Sequence, residues 1–361
     1  MRQIEAIAAS PRHQRPGVPA SRPLPDALPA KASAGVAQTR PDRTAARHDG
    51  PDYYGLPAVK ASNYGALVWL YTYLAGLAGS SQVIATLADL AGKGEGWRSA
   101  IRTGRMIAAL GPVVGAGLLI ADLHTPQRWY NMVRIFRASS PMSIGSYLLL
   151  AFGSSSGLAA LGDLAGWRWL TLLAQAPAAA AGAGMSVYTA GLLSATSTPY
   201  WAAAPRLLAA RFACSAFATA AAGLSLVQTL RGQTRQAQVL DRMTALATLG
   251  EHVATRLSER HYREAGVDAV LEEPRLAAQH RLAHQIGTVL PLACMAVNAV
   301  LPRRSRSLAV AGSVGALAGG LLMRATVFHA GNRSAQRPDV YFSLTRKGRK
   351  EIAGRAPGKL G

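Results

Sequence analysis

Long apolar stretches separated by short polar loops dominate the sequence from about residue 66 onward. Each stretch is close to the roughly 20 residues that a helix needs to cross the hydrocarbon of a bilayer. Lipid offers the backbone no hydrogen-bond partner, so such stretches must be helical. The fold class predicted is therefore all-α, a polytopic membrane helical bundle. Its clear spans are at about 66–90, 104–123, 143–164, 172–195, 207–230, 284–301 and 307–328.

The stretch at 236–258 also has the apolar spacing of a helix, but it contains Asp241, Arg242, Glu251 and His252. It fits either a span sheltered inside the bundle or a helix lying on the membrane surface. We favour the span, which brings the total to about eight transmembrane helices. With eight crossings, both termini lie on the same side of the membrane.

The apolar spans divide the chain into three parts. Residues 1–50 are rich in Pro, Ala and Arg without apolar periodicity, which predicts a disordered basic tail. That segment lacks the continuous apolar region of a secretory signal. Residues 51–335 form the membrane domain, and 336–361 form a second basic tail.

The formal net charge is +21, although only 16% of the residues are charged, against roughly 25% in soluble domains. The arginines border apolar spans and are not interleaved with aromatic residues, so lipid headgroups explain them better than nucleic acid. We therefore expect membrane lipids as partners and no nucleic acid. Lys and Arg occur in both sets of loops, which leaves the orientation open.

The chain offers few ligands for a metal cofactor. Its two cysteines, Cys214 and Cys294, lie inside apolar spans, whereas an iron–sulfur cluster needs four thiolates. His252 and His284 lie in neighbouring spans, where two histidines can hold a haem, but neither helix carries the paired histidines of a two-haem protein. We expect neither haem nor iron–sulfur cluster in this chain, no metal site, and no catalytic constellation.

Polar, aromatic and turn-forming residues gather in four segments, 52–60, 122–146, 188–201 and 321–335. On a count of eight spans, all four emerge at one face of the bundle, hereafter the motif face. Such a collection suggests a docking surface and the mouth of a pocket. Ordinary anchoring of the helices at the level of the lipid headgroups is the alternative interpretation.

Asp122 is the strongest candidate for a functional residue on that face, because a carboxylate at the end of an apolar helix is costly unless it is paired or faces water. Asp122 or His124 could exchange protons with a quinone, and Arg128 or Tyr130 could orient a quinone carbonyl. The alternative is an Asp122–Arg128 ion pair that closes the loop.

The motifs DLHTPQRWYNM, SPMSIGSYLL and YTAGLLSATSTPYW, with YYGLPAVK before and RATVFHAGNRSA after them, resemble the membrane subunits of the polysulfide reductase NrfD family. The resemblance extends from about residue 52 to residue 343. It implies an anchor in the cell inner (plasma) membrane that holds no haem or cluster. Such an anchor pairs with a four-cluster, ferredoxin-like iron–sulfur subunit and often a molybdopterin catalytic subunit. Electrons pass between the nearest cluster and a quinone, either menaquinone or ubiquinone.

The resemblance and the chemistry together select two sets of residues. The candidates for quinone binding or proton exchange are Asp122, His124, Arg128, Tyr130 and Tyr188. The candidates for a docking or structural role are Ser140, Pro141, Met142, Gly145 and Trp201. The function expected is that of a membrane subunit of a respiratory oxidoreductase. A stand-alone transporter, or a purely structural anchor without quinone chemistry, is the alternative. The basic tail and the polar sixth helix depart from the family pattern.

Overall fold

The computed structural model describes residue 57 and residues 59–92 and 94–344. The predicted tail at 1–50, most of the motif at 53–60 and the last 17 residues, 345–361, lie outside the described residues. Within them, all regular secondary structure is helical, which confirms the all-α prediction. The helices are α1 (Ala66–Leu90), α2 (Gly94–Asp122), α3 (Asn131–Arg134), α4 (Pro141–Ala165), α5 (Arg168–Ser194), α6 (Pro199–Ala202), α7 (Pro205–Leu230), α8 (Thr234–Ala265), α9 (Pro274–His284), α10 (Leu290–Val300) and α11 (Arg306–Ala335).

The long helices pack as two groups of four. The N-terminal unit consists of α1, α2, α4 and α5, and the C-terminal unit consists of α7, α8, α11 and the continuous rod formed by α9, a π-helical turn at Gln285–Val289 and α10. Helices α1 and α5 pack against α7, and α1 also packs against α11, which joins the two units.

Several helices extend beyond the predicted spans into polar sequence. Helix α2 begins ten residues before the predicted start at 104, and α8 and α11 each continue seven residues past their predicted ends. The charged stretch at 258–283, which hydropathy leaves as a loop, is mostly helical, with a short 3-10 turn at Asp268–Val270. Hydropathy detects only the apolar part of a helix, whereas the backbone hydrogen bonds continue into the headgroup region.

Seven helices of the described chain are long and apolar enough to cross a membrane, and α8 is not among them. The predicted count of eight crossings is therefore not confirmed by hydropathy. The side chains of α8 are nevertheless arranged as a crossing helix requires. Asp241, Thr244 and Thr248 face the bundle and are buried, whereas Leu246 and Val253 face outward and are exposed. Polar groups are thereby kept from lipid.

Close approach between small residues packs both units. In the N-terminal unit, a side-chain carbon added to Gly182 would lie 2.7 Å from the carbonyl oxygen of Gly79, so neither position has room for a side chain. In the C-terminal unit, Gly287 and Gly319 meet backbone to backbone in the same way. Membrane helices associate through such contacts because lipid supplies no hydrophobic drive between them.

The first residues of the predicted C-terminal tail belong to the folded unit. Residues 338–344 are helical, Val340 is buried, and the Ser343 hydroxyl donates to the carbonyl of Gly266 at 3.1 Å. An ion pair with the Arg337 guanidinium lowers the pKa of the Asp339 carboxyl.

Candidate functional site

Side-chain contacts bring the motif segments to one end of the bundle. Among them, Ser62 donates to the side-chain oxygen of Asn332, which ties the chain before α1 to the end of α11. The indole of Trp201 lies 5.9 Å from the ring of Phe328 and 6.0 Å from that of Tyr64, measured between centroids. The segments before α1, after α5 and at the end of α11 therefore share one aromatic cluster at the motif face.

Asp122 is the last residue of α2 and is half-buried. Gly65, the residue before α1, lies beside it, since a side-chain carbon added there would lie 3.8 Å from the Asp122 carboxylate oxygen. Glycine leaves that side of the carboxylate open. Within the described residues, Asp122 has no ion pair or hydrogen bond to its carboxylate, so the alternative of an Asp122–Arg128 pair is wrong there.

The segment after Asp122 is a loop with two short helical turns, a 3-10 turn at Pro126–Arg128 and α3. His124, Arg128 and Tyr130 are all exposed on it. Trp129, Ile135 and Phe136 are about half exposed as well. The loop is held to α4 by the Tyr147 hydroxyl, which donates to the carbonyl of Val133 at 2.8 Å. The loop therefore offers both polar and large apolar side chains to a partner.

Tyr188 and two residues of the Ser-Pro-Met segment form one contact. The Tyr188 hydroxyl donates to the carbonyl of Pro141 at 2.7 Å, joining α5 to the start of α4. Its ring occupies the space that a side chain at position 145 would need, which explains the glycine there. The bond uses the single donor hydrogen of Tyr188, so this tyrosine acts first as a link between two helices.

Ser140 and Pro141 define where α4 begins. The Ser140 hydroxyl accepts a hydrogen bond from the Ser143 amide at 3.4 Å, and Pro141 occupies the first helical position. Ser at the N-cap followed by Pro is the arrangement that helix starts favour. Met142 comes next and is half exposed on the motif face.

Trp201 has a structural position. It is fully buried in α6, and its indole nitrogen donates to the carbonyl of Val327 in α11 at 2.9 Å. The ring lies against Gly331, where no side chain fits. The backbone amide of the neighbouring Tyr200 donates a further hydrogen bond to the Ser334 hydroxyl of α11, at 3.2 Å. Trp201 thus joins the segment after α5 to the last helix and does not reach the docking surface.

The family model described as polysulphide reductase, NrfD, matches residues 59–334. The matched region covers the helices of both four-helix units and the motifs between Asp122 and Trp201. The chain belongs to the NrfD family. Comparison with curated proteins gave no match. Family membership makes the chain a multi-pass membrane protein of a quinone-associated family, in agreement with its helices.

A charged cluster that the sequence pattern did not predict lies at the face opposite the motif face of this NrfD protein. Arg105 in α2 is buried and donates to Asp163 and Asp89, both at 2.8 Å, and to the side-chain oxygen of Gln175 at 2.7 Å. Arg168 donates to Asp89 from the other side at 2.9 Å. Arginine inside the predicted second span was the available signal, since ionisable residues at membrane depth rarely lack a partner.

A second group of charges missed by sequence lies deep in the C-terminal unit. Arg324 in α11 is 1% exposed, donates to the carbonyl of Phe212 at 3.0 Å and lies 3.6 Å above the Phe212 ring. Glu251 of α8 and Arg211 of α7 are within electrostatic range of it. Two nitrogens of Arg324 have no hydrogen-bond partner within the described part of the chain. The polar residues of α8 therefore meet arginines inside the bundle.

His252 and His284 are neighbours, but their arrangement does not suit an iron between them. The two rings stack with centroids 5.1 Å apart and planes 24° from parallel. Axial ligands to a haem would instead point ring nitrogens at one iron from opposite sides of the macrocycle. His280, on the same face of α9, contacts Glu259 at 3.0 Å.

Proposed function

We propose that this NrfD protein is the quinone-reactive membrane anchor of an oxidoreductase complex and that the quinone binds at the motif face beside Asp122. The observation that carries the proposal is the half-buried Asp122 carboxylate, which faces Gly65 and has no partner among the described residues. A carboxylate held at that depth without a counter-charge is characteristic of a site that exchanges protons or binds a ligand.

Quinone reduction consumes two electrons and two protons, and the residues at this face fit the proton half of that chemistry. Asp122 lies at the end of α2, where the chain leaves the apolar part of the bundle, and His124 follows it in the exposed loop. In this proposal, Asp122 exchanges a proton with a quinone oxygen and His124 connects that proton to water. The electrons come from a cluster held by the partner subunit.

In this proposal, the loop after Asp122 orients the quinone. Arg128 and Tyr130 are exposed and have no hydrogen-bond partner for their side chains in the described chain, so both keep donors for a quinone carbonyl. Tyr188 does not keep one, because its hydroxyl already donates to Pro141. We therefore assign Tyr188 a positioning role: it fixes the start of α4 against α5 beside the site.

The partner surface we propose is the loop between α2 and α4. It exposes Trp129 and Phe136 next to Arg134 and Arg137, and Met142 in the first turn of α4 is exposed beside it. Aromatic residues, Met and Arg are the types enriched in the cores of protein interfaces. We propose a ferredoxin-like iron–sulfur subunit as the occupant, with a molybdopterin subunit attached to it where the complex includes one. This surface is adjacent to Asp122, which keeps the electron path to the quinone short.

Replacement of Asp122 by Asn tests the proposal, because the amide keeps the shape and removes the exchangeable proton. In the intact complex we expect quinone turnover to fall by about tenfold or more, since a positioned proton donor contributes roughly 10²–10⁴-fold. Subunit assembly, followed by size-exclusion chromatography, should be unchanged. Glu272→Gln is the matched control, because Glu272 is an exposed acid in the other unit at the same face. Normal turnover in Asp122→Asn would remove this residue from the mechanism.

A stand-alone transporter is the second candidate, and the deep Arg211–Glu251–Arg324 group favours it, because mid-membrane charges and interrupted helices are typical of transport sites. The π-helical turn at Gln285–Val289 is such an interruption. Glu251→Gln separates the two candidates: a transporter would lose solute or ion flux in vesicles that contain this chain alone. The anchor, purified without its partners, would show no such flux in either form.

A further inference from the structure

A cavity of about 310 Å³ opens at the face opposite the motif face, between the ends of helices of the N-terminal unit. Its lining includes Arg98, Arg105, Asp163 and Arg168, together with the turn at Gly166. Neither the quinone chemistry nor partner docking, both assigned to the motif face, uses this cavity. Its volume is at the lower end of the range of small-ligand sites.

The cavity carries a surplus of positive charge. Arg105 forms ion pairs with Asp89 and Asp163, and Arg168 pairs with Asp89. Arg102 forms only a long ion pair with Asp163, at 3.8 Å. Within the described residues, three arginines line the cavity and a fourth, Arg102, lies beside Asp163, against two aspartates in all, which leaves two positive charges uncompensated. These arginines are Arg98, Arg102, Arg105 and Arg168, and the aspartates are Asp89 and Asp163.

Two of the arginines keep donors that no described residue satisfies. The Nε of Arg105 is buried and has no hydrogen-bond partner within the described part of the chain. Arg98 lines the cavity and has no ion pair there with a described residue. Arginine donors in such a fork match the oxygens of a phosphate, and a buried donor without a partner is costly. An anion with several acceptor oxygens in the cavity would accept from Arg98, and its charge would offset the positive charge of Arg105, whose Nε is enclosed.

The surroundings place the cavity at the level of lipid headgroups. Trp167, just before α5, and Trp169, in its first turn, are exposed, as aromatic residues at a membrane interface are. Arg98 and Arg102 lie on one outward stripe of α2 that continues into exposed Leu110. The same stripe reaches Val113, about 17 Å from Arg102 along the helix, which is roughly half the hydrocarbon thickness.

We propose that this cavity binds the phosphate of an anionic phospholipid, with Arg98 and Arg102 as its outer ligands, Arg105 behind them, and the acyl chains along α2. The chemistry required is that of a phosphate-bearing anion. The apolar stripe below the arginines assigns the anion to a lipid and not to free phosphate. The bound lipid would neutralise the surplus charge and close the end of the N-terminal unit.

The test is native mass spectrometry of the full complex, stripped of lipid in detergent and supplied with phosphatidylglycerol, phosphatidylcholine or inorganic phosphate. We expect one phosphatidylglycerol to bind more tightly than phosphatidylcholine. In Arg98→Gln/Arg102→Gln its affinity should fall about thirtyfold, because each of the two arginines near an anionic headgroup contributes on the order of 1 kcal/mol. Arg235→Gln should change nothing, since Arg235 is exposed at the same face in the other unit.

Four outcomes would count against the proposal. Equal affinities for the two lipids, or an unchanged affinity in the double Gln variant, would overturn it. Displacement of phosphatidylglycerol by millimolar inorganic phosphate would keep the phosphate site and overturn the lipid as its occupant. If the double Gln variant does not fold, Arg98→Lys/Arg102→Lys preserves the charge and should keep the preference for phosphatidylglycerol; loss of that preference in a folded Lys variant would contradict charge as the basis of binding.

Discussion

Each of the two four-helix units has an arginine–carboxylate contact between its helices at the face opposite the motif face. In the N-terminal unit, Arg105 of α2 binds two aspartates that end α1 and α4. In the C-terminal unit, Arg304 before α11 binds Asp241 of α8 at 2.6 Å and donates to the Thr229 hydroxyl at 3.0 Å. Each unit is thus fastened at that end by an arginine joined to carboxylates.

The interiors of the two units differ. In the described part of the N-terminal unit, Arg105 is the one buried charged residue and lies in an ion-pair cluster, whereas the rest of the interior is joined by small groups such as the Ser80–Ser186 hydroxyl pair at 2.9 Å. The C-terminal unit holds Arg324 and Glu251 at mid-depth. The end contacts are therefore common to both units, whereas charged residues deep in the interior, which are rare and costly in membrane helices, distinguish the C-terminal unit.

The largest expected effect comes from Arg105→Met, which removes the centre of the end contact of the N-terminal unit. Two carboxylates then share only Arg168 and the distant Arg102, so the free energy of unfolding should fall by about 3–5 kcal/mol. Denaturation in detergent micelles measures it. Arg102→Gln, which loses only a long ion pair, should cost less than about 1 kcal/mol.

Arg304→Met makes the same change in the other unit, where one carboxylate is left without its partner. Its cost should be smaller than that of Arg105→Met. A larger loss in Arg304→Met would contradict the view that the number of carboxylates that each arginine contacts, two for Arg105 and one for Arg304, determines how strongly the end contact stabilises its unit.

Leu246→Arg tests whether α8, the helix whose polar face is turned toward the bundle, crosses the membrane. Leu246 is 70% exposed near the middle of α8. If α8 crosses the membrane, arginine there should reduce insertion by about 2.5–3.5 kcal/mol. Gln238→Arg, exposed near the start of the same helix, should have almost no effect. Equal insertion of both variants, assayed by the yield of carbonate-resistant protein, would indicate that α8 lies on the surface.

Tyr188→Phe has the smallest expected effect. It removes the hydroxyl that donates to Pro141 and keeps the ring that fills the space beside Gly145. We expect a loss of about 0.5–1.5 kcal/mol of stability, since the bond is half-buried and single. Quinone turnover should fall only modestly, with the apparent KM rising more than kcat falls. A collapse of kcat without loss of stability would show that Tyr188 takes part in the chemistry.

The apolar pattern was sufficient to predict the class of fold and the positions of the spans, because bilayer thickness sets both. It was insufficient for the ends of α2 and α8, where helical hydrogen bonds continue through charged residues. The motifs located the residues that meet at the motif face, including Tyr188 with Pro141 and Gly145. They did not predict that Trp201 is buried against α11.

The buried charges could not be assigned from sequence, for a physical reason. Arg105 and Asp163 are 58 residues apart, and only the packing of α2 against α4 brings them within 2.8 Å. An isolated arginine in an apolar stretch shows that a partner must exist without showing which residue it is. The same limit applies to Asp122, whose neighbour Gly65 offers no side chain to pair with it.

The proposed anchor function depends most directly on which end of the bundle binds the electron-donating subunit. A photo-reactive amino acid placed at Met142 on the motif face, and at Trp169 on the opposite face, compares two exposed positions in one experiment. After irradiation of cells and purification in mild detergent, we expect an iron–sulfur subunit cross-linked to position 142 and none to position 169. Cross-linking of that subunit from position 169, or recovery of the folded chain alone from both, would contradict the account.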